Sequence, residues 1–313
     1  MDKCSYFIKD RALFGSYPTQ EGIYELENEG VIYFIDLTLP TEKKIVPYKT
    51  NFNYFSYPIK DRHIPENNWE FCCFIIQIST IIKELKNYSK IYIHCKGGHG
   101  RSGIVVACIL SHIFSLPPLT ALNYTSIAHS KRKIMKDKWR HIGAPQTSHQ
   151  KSFVIFLCKF IKFYKTNRNF LIQGFSNFSL YEVYIPNRGI FPSAEAAIQS
   201  YKSNDEKYIE SLKKCTNYCT LKMITSNIEY DKLDWEKKYP NILFKILKLK
   251  FDQHKNLKLN LLNTYLSPLI YVNKTDLISA TNNFNNGKNL LGKLLMKLRY
   301  QYLKENYKLN LII

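Results

Sequence analysis

The stretch IYIHCKGGHGRSG, residues 91–103, decides how the first half of the chain is read. It opens as an apolar, β-branched run suited to a buried strand and closes on the first residues of a helix that should start near Ser102. Between them Gly97, Gly98 and Gly100 let the backbone turn tightly with its amides facing inward. Successive inward N–H groups form an anion nest. The helix adds its positive dipole end and Arg101 a two-pronged contact, so Lys96, Gly97, Gly98, His99 and Gly100 are expected to surround a phosphate. Cys95 ends the strand, where a helix N-terminus and nearby cations favour the ionised form of a thiol, and is the expected nucleophile. No Gly-Lys-Ser/Thr follows the glycines, which excludes a Walker A loop.

Working outward, Ser5–Ile8 reads as a strand, and Gly15 with Pro18 as a loop before Thr19, which caps a helix ending at Gly30. VIYFIDL, residues 31–37, suits a central strand and residues 51–57 another. The loop IKDRHIP carries Asp61, its sole acid and the expected proton donor, since a departing oxygen needs a carboxylic acid brought in on a mobile segment. Asp36, inside an apolar strand, reads as a buried structural carboxylate. Residues 66–88 have helical spacing, with Cys72 and Cys73 as packing groups. After a helix over 119–130, the run KRKIMKDKWR reads as a solvated basic face, and residues 143–165 as a capped final helix.

The HCxxGxxRSG pattern of His94, Cys95, Gly98, Arg101, Ser102 and Gly103 resembles that of the cysteine-based tyrosine and dual-specificity phosphatases. The resemblance implies an α/β fold with a central mixed sheet flanked by helices. It implies that His94 tunes the thiolate, Cys95 attacks phosphorus, Arg101 binds the equatorial oxygens and Ser102 helps expel the thiol. It also implies that Asp61 is the general acid and that Gln150, at the start of the last helix, orients water.

The second half restarts after the polar segment KTNRNF, residues 165–170. Glu195 stands in a helix begun by Pro192 and Ser193, among apolar neighbours that raise a carboxyl pKa, with Lys202 on the same face; alone this pattern favours an ordinary capped helix with one surface Glu–Lys spacing. SNF at 176–178, PSAEAAIQSYK at 192–202, DWE at 234–236, Asp276 and GKNLLGKLLMKLR at 287–299 together resemble the NADAR family, linked to hydrolysis of N-glycosidic bonds in ADP-ribosyl adducts or riboflavin-pathway intermediates. The resemblance implies a mainly helical α+β domain in which Glu195 is the catalytic carboxylate. Asn177, Lys202, Trp235, Asp276, Asn289 and Arg299 would position the substrate.

With 313 residues the chain has room for two cores, assigned to 1–166 and 168–313. Eight scattered cysteines without CxxC pairs, and a charged N-terminus, indicate a reducing intracellular compartment, cytoplasm or nucleus. Cys215 and Cys219 lack further ligands at metal spacing, so neither a metal nor a cofactor is expected. The apolar runs are too short to span a bilayer. A formal charge of +20 fits a nucleic-acid or anionic-membrane partner, or simply an AT-rich coding composition.

The expectation is a two-domain hydrolase. A phosphoprotein phosphatase working through a cysteinyl-phosphate is joined to an N-glycosidase acting on an ADP-ribosyl or related N-ribosyl substrate. The alternative is a phosphoinositide or RNA 5′-phosphatase whose second domain only binds ADP-ribose, a reading drawn from Lys96 and His99 in the loop and from Tyr271 and Ser279-Ala280 where the family pattern differs.

Overall fold

Val31–Asp36 (β3) is an interior strand of the first unit's sheet, because a β-branched, apolar run can be covered on both faces. In the computed structural model, which describes residues 2–282 and 286–307, the chain forms two compact units. The first is built on Met1–Lys159 and the second on Phe160–Thr264 with Pro268–Tyr302. The last six residues of the range 168–313 lie outside the described residues.

In chain order the first unit contains β1 (Cys4–Ile8), β2 (Ala12–Ser16), α1 (Gln20–Asn28), β3, β4 (Asn53–Ser56), α2 (Asn68–Glu84) and β5 (Lys90–Cys95). Helices α3 (Arg101–Phe114), α4 (Pro118–Ser130), α5 (Asp137–Ile142) and α6 (Ser148–Cys158) follow. The five strands form one sheet in the order β1-β2-β5-β3-β4. Only the β1–β2 pair is antiparallel, so the sheet is mixed. Ile23 and Leu26 of α1 pack on Leu13, Phe34 and Tyr92. Helix α3, buried on almost every side, packs against β5 with α2, α4 and α6 around it. The parallel strands β2, β3, β4 and β5 end at the same edge, so the loops after them converge there, where α/β sheets form their sites.

Two local expectations are corrected. Gly15 lies near the end of a strand, Ala12–Ser16, rather than in the loop before Thr19, and a Cβ there would lie 2.8 Å from Cys4 Cβ. Ile161–Phe163 does not prolong the last helix, since α6 stops at Cys158 and IKF becomes a strand. Its alternation fits a two-residue period as well as a helical one.

The second unit is mainly helical. That strand, β6 (Ile161–Phe163), is followed by β7 (Val183–Ile185), β8 (Gly189–Phe191), α7 (Ala194–Gln199), α8 (Glu206–Lys213), α9 (Tyr218–Ser226), α10 (Lys232–Gln253), α11 (Lys255–Leu262), β9 (Leu269–Tyr271) and α12 (Leu290–Asn306). Strands β6 and β9 pair in parallel, and β7 and β8 form a hairpin. Helix α10 runs through the core on Leu243, Ile246, Leu247 and Phe251. Among the described residues no helix is long and apolar enough to cross a membrane.

Candidate active sites

Strand β5 delivers Cys95 to the edge where the loops meet. Its neighbours hold the turn that follows: Tyr17 N–H donates to Lys96 O at 3.1 Å and Leu37 N–H to His94 O at 3.0 Å. Cys95 is buried, with Sγ 3.5 Å from Ser102 Oγ. Gly98 takes φ +74° with Gly15 pressed against it, so no side chain fits there.

Arg101 is the first residue of α3 and only 1% exposed. Its Nη1 donates to Ile59 O at 3.0 Å and to Glu42 Oε1; its Nη2 donates to Glu42 Oε2 at 3.1 Å and lies 3.1 Å from Asp61 Oδ1. Nε is buried with no hydrogen-bond partner among the described residues. Burial alone would raise the Glu42 pKa, but hydrogen bonds from Arg101 and the Leu39 N–H, with the Arg101 and Lys96 charges, hold it below the usual carboxylate range. Asp61, on the loop after β4, remains largely exposed and reaches this cluster from outside.

His94 shares a hydrogen bond with Tyr48 OH at 2.7 Å through Nε2, and its Nδ1 is 3.7 Å from Asp36. Burial pushes its pKa down to about 4 against the pull of Asp36. Asp36 is the buried carboxylate expected, accepting from Thr38 N–H, Thr38 Oγ1 and Tyr54 OH. Gln150 closes a capping box with Thr147 and donates to His63 O at 3.2 Å; its amide would stand 2.9 Å from a Cβ on Gly100.

The rest of the loop is less cationic than its letters suggest. His99 stacks on Trp139 and meets His129 Nε2 at 2.7 Å. Burial and the Arg132 charge lower its pKa to about 4, so the expectation that His99 adds positive charge is corrected. Lys96 is exposed and donates to Lys43 O at 2.7 Å. The cation beneath the loop is Arg132, 3% exposed, with Nη1 donating to Gly98 O at 2.8 Å and Nη2 to Phe14 O at 3.2 Å. Arg132 comes from the KRKIMKDKWR run, whose composition is that of a solvated face, and Glu42 from a segment with no motif to mark it.

The second unit holds a cavity of about 550 Å³ lined by Glu195, Gln199, Trp235, Tyr239, Asp276 and Ser279, with Lys288 and Lys293 at its margin. Burial raises the Glu195 pKa and the Asp276 charge adds to this; hydrogen bonds from Gln199 and Asn177 and the Lys202 charge oppose it. Gln199 Nε2 donates to Glu195 Oε1 at 2.8 Å. Asn177 O accepts the Glu195 N–H at 2.9 Å. Lys202 Nζ lies over the rings of Tyr230, at 4.1 Å, and Trp235, at 5.4 Å. Asp276 Oδ1 accepts the Ser279 N–H at 2.9 Å, and Tyr239 OH meets Ser279 Oγ at 2.6 Å.

Of the expected substrate-positioning residues Trp235 and Asp276 line this cavity, whereas Asn177, Lys202, Asn289 and Arg299 are not among its lining residues. Asn289 accepts the Tyr271 N–H at 3.0 Å and donates to Leu269 O at 2.9 Å, tying β9 to the start of α12. Arg299 is buried and donates to Thr264 Oγ1 at 2.6 Å and Thr264 O at 3.3 Å. Gln199, Tyr239 and the two margin lysines were missed. Only Gln199 carried a signal, four residues after Glu195 on one helical face.

Residues 1–154 match the family described as Swiss Army Knife protein, DSP-PTPase phosphatase domain, and residues 162–303 match the NADAR domain. Putative tyrosine phosphatase 197R of Invertebrate iridescent virus 6 is 30% identical over 310 residues, covering 96% of this chain and 95% of that protein. Putative tyrosine phosphatase 067L of Invertebrate iridescent virus 3 is 38% identical over 156 residues, which are 49% of this chain and 65% of that protein. N-glycosidase YbiA of Escherichia coli K12 is 30% identical over 146 residues, 45% of this chain and 87% of that protein. The NMR structure of YbiA superposes with a TM-score of 0.42 over 47% of this chain and 86% of its own.

Proposed function

Because the chain belongs to the family that sets a DSP-PTPase phosphatase domain ahead of a NADAR domain, we propose that it is a hydrolase with two active sites. Residues 1–166 hydrolyse phosphomonoesters of phosphotyrosine or phosphoserine and phosphothreonine proteins. Residues 168–313 hydrolyse the N-glycosidic bond of an ADP-ribosyl or related N-ribosyl substrate. The observation that carries the first assignment is the meeting of a nucleophile and an acid from separate loops: Cys95 lies beside Ser102 Oγ, and Asp61 Oδ1 is 3.1 Å from Arg101, at the same turn.

In the first step Cys95 Sγ bonds to phosphorus as the P–O bond to the leaving group breaks, and Asp61 gives that oxygen its proton. The loop amides and the Arg101 Nε–H, which has no protein partner, suit the equatorial oxygens. Asp61 then takes a proton from water, with Gln150 orienting it, as the water oxygen displaces Sγ; Ser102 Oγ–H stabilises the departing sulfur. His94, neutral and bonded to Tyr48, acts on Cys95 through the end of β5 rather than by carrying charge.

In the second unit the raised Glu195 suits transfer of a proton from the attacking water, while Asp276 and the aromatic wall of Trp235 and Tyr239 flank the sugar. The test is one panel of phosphotyrosine peptide, phosphoinositide, RNA 5′-triphosphate and ADP-ribosylated oligonucleotide. Wild type is compared with Cys95→Ser and Glu195→Gln. The expected result is that each substitution silences a different substrate. ADP-ribose binding without any cleavage would make the second domain a reader instead, and full phosphatase activity in Cys95→Ser would end the first assignment.

A further inference from the structure

Lys250, on α10, is completely buried, yet among the described residues no carboxylate is paired with it. Its Nζ donates to Gly174 O at 2.7 Å and Ser176 O at 2.8 Å, and lies 3.3 Å from Ser179 Oγ. The ring of Tyr181 stands 5.5 Å away. All three acceptors belong to one short loop, and Asn177 is inside it. The same Asn177 holds Glu195 through its backbone carbonyl, which accepts the Glu195 N–H at 2.9 Å, and its side chain favours the ionised Glu195 carboxylate.

A buried ammonium is unfavourable unless its protons are all used. A methionine or leucine would fill the same volume without that penalty, so space-filling does not account for a lysine here. Three donors directed at one loop do. Burial lowers the Lys250 pKa to about 7.

We propose that Lys250 is the positioning residue of the second site: it clamps residues 174–179 so that Asn177 fixes the place and orientation of Glu195. This rests on the reading of Glu195 as the catalytic carboxylate. Lys250 touches no substrate and acts through Asn177.

The experiment uses the full chain with Lys250→Met and Lys250→Gln, followed by hydrogen exchange, thermal melting and cleavage of an ADP-ribosylated oligonucleotide. Lys250→Met is expected to speed exchange in 174–179 and at the Glu195 amide by on the order of tenfold, leaving the other helices of the second unit as in wild type. The kcat should fall by roughly 10²-fold with little change in KM, the signature of a displaced group rather than a lost binding contact. Lys250→Gln, which keeps two donors, should lie between and serves as the comparison if the methionine variant does not fold. Unchanged exchange in the loop, or an even rise across the whole unit, overturns the proposal. If wild type leaves the oligonucleotide intact, that substrate fails by itself, and the exchange pattern still decides whether Lys250 is the clamp.

Discussion

Both carboxylate oxygens of Glu42 meet the guanidinium of Arg101, one at each terminal nitrogen. A forked pair of this kind fixes the plane of the guanidinium as well as its charge, and leaves Nε as the edge not engaged by protein. Glu42→Gln keeps the shape and removes one of the two matched acceptors. We expect kcat/KM for an aryl phosphate to fall by roughly 10-fold to 10²-fold, with weaker inhibition by inorganic phosphate. Steady-state kinetics with phosphate as inhibitor decides this; unchanged values would mean that Glu42 is only a surface partner.

Asp61→Asn separates acid catalysis from binding. An alkyl or peptide oxygen leaves poorly without a proton, so turnover of a phosphoserine peptide should fall by ~10²–10⁴-fold, and that of an ester with an acidic phenol much less. Equal losses on both substrates would remove Asp61 from the acid role.

Two buried histidines, His94 and His129, and the half-buried His99 make the first unit sensitive to acid. His94 and His99 are lowered to about 4 and His129 to about 3, chiefly by burial. An unfolded histidine titrates near ~6.5, so the unfolded chain binds more protons below that point. Their contribution to stability is therefore complete above about 6.5 and lost as pH falls towards 4 and 3. Chemical denaturation of the chain between pH 7 and 4 should show this fall, with a slope of at most ~1.4 kcal/mol per pH unit for each buried histidine. His129→Asn should flatten it, and an identical slope in that variant would assign the effect elsewhere.

Glu195 has the opposite sign. Its folded pKa is raised, first by burial and then by Asp276, so its stabilising contribution is present below the ordinary carboxylate range and is lost as pH rises through the folded value. Glu195→Gln should abolish N-glycosidic cleavage while raising the melting temperature at pH 8 by about 2–4 °C for each kcal/mol relieved. At acidic pH the gain should vanish. A variant less stable than wild type at pH 8 would show that the Gln199 and Asn177 hydrogen bonds outweigh the desolvation.

What the letters disclose depends on how the groups are brought together. Cys95, Arg101 and Ser102 are legible because a loop and one helical turn carry them in a row, and Thr147 with Gln150 because a capping box is a local pattern. Glu42 and Arg132 reach the same loop across 59 and 34 residues, from segments whose composition resembles ordinary solvated chain. Asn289 and Arg299 show the converse: a recognisable motif was read as a ligand set, whereas these two members hold the backbone of β9 and Thr264. Polar residues in a motif serve the fold as readily as the substrate, and only their partners tell which.

The parallel pairing of β6 with β9 joins Ile161–Phe163 to Leu269–Tyr271. A ribosome releases the first of these segments roughly a hundred residues before the second, an interval of ~5–20 s at ordinary elongation rates. During that interval the nascent second unit carries a strand edge without its mate, the kind of surface on which unfinished chains associate. Synthesis order thus imposes a waiting time on this domain, and a product terminated before Leu269 would carry the first unit followed by a second unit whose β6 edge stays unpaired.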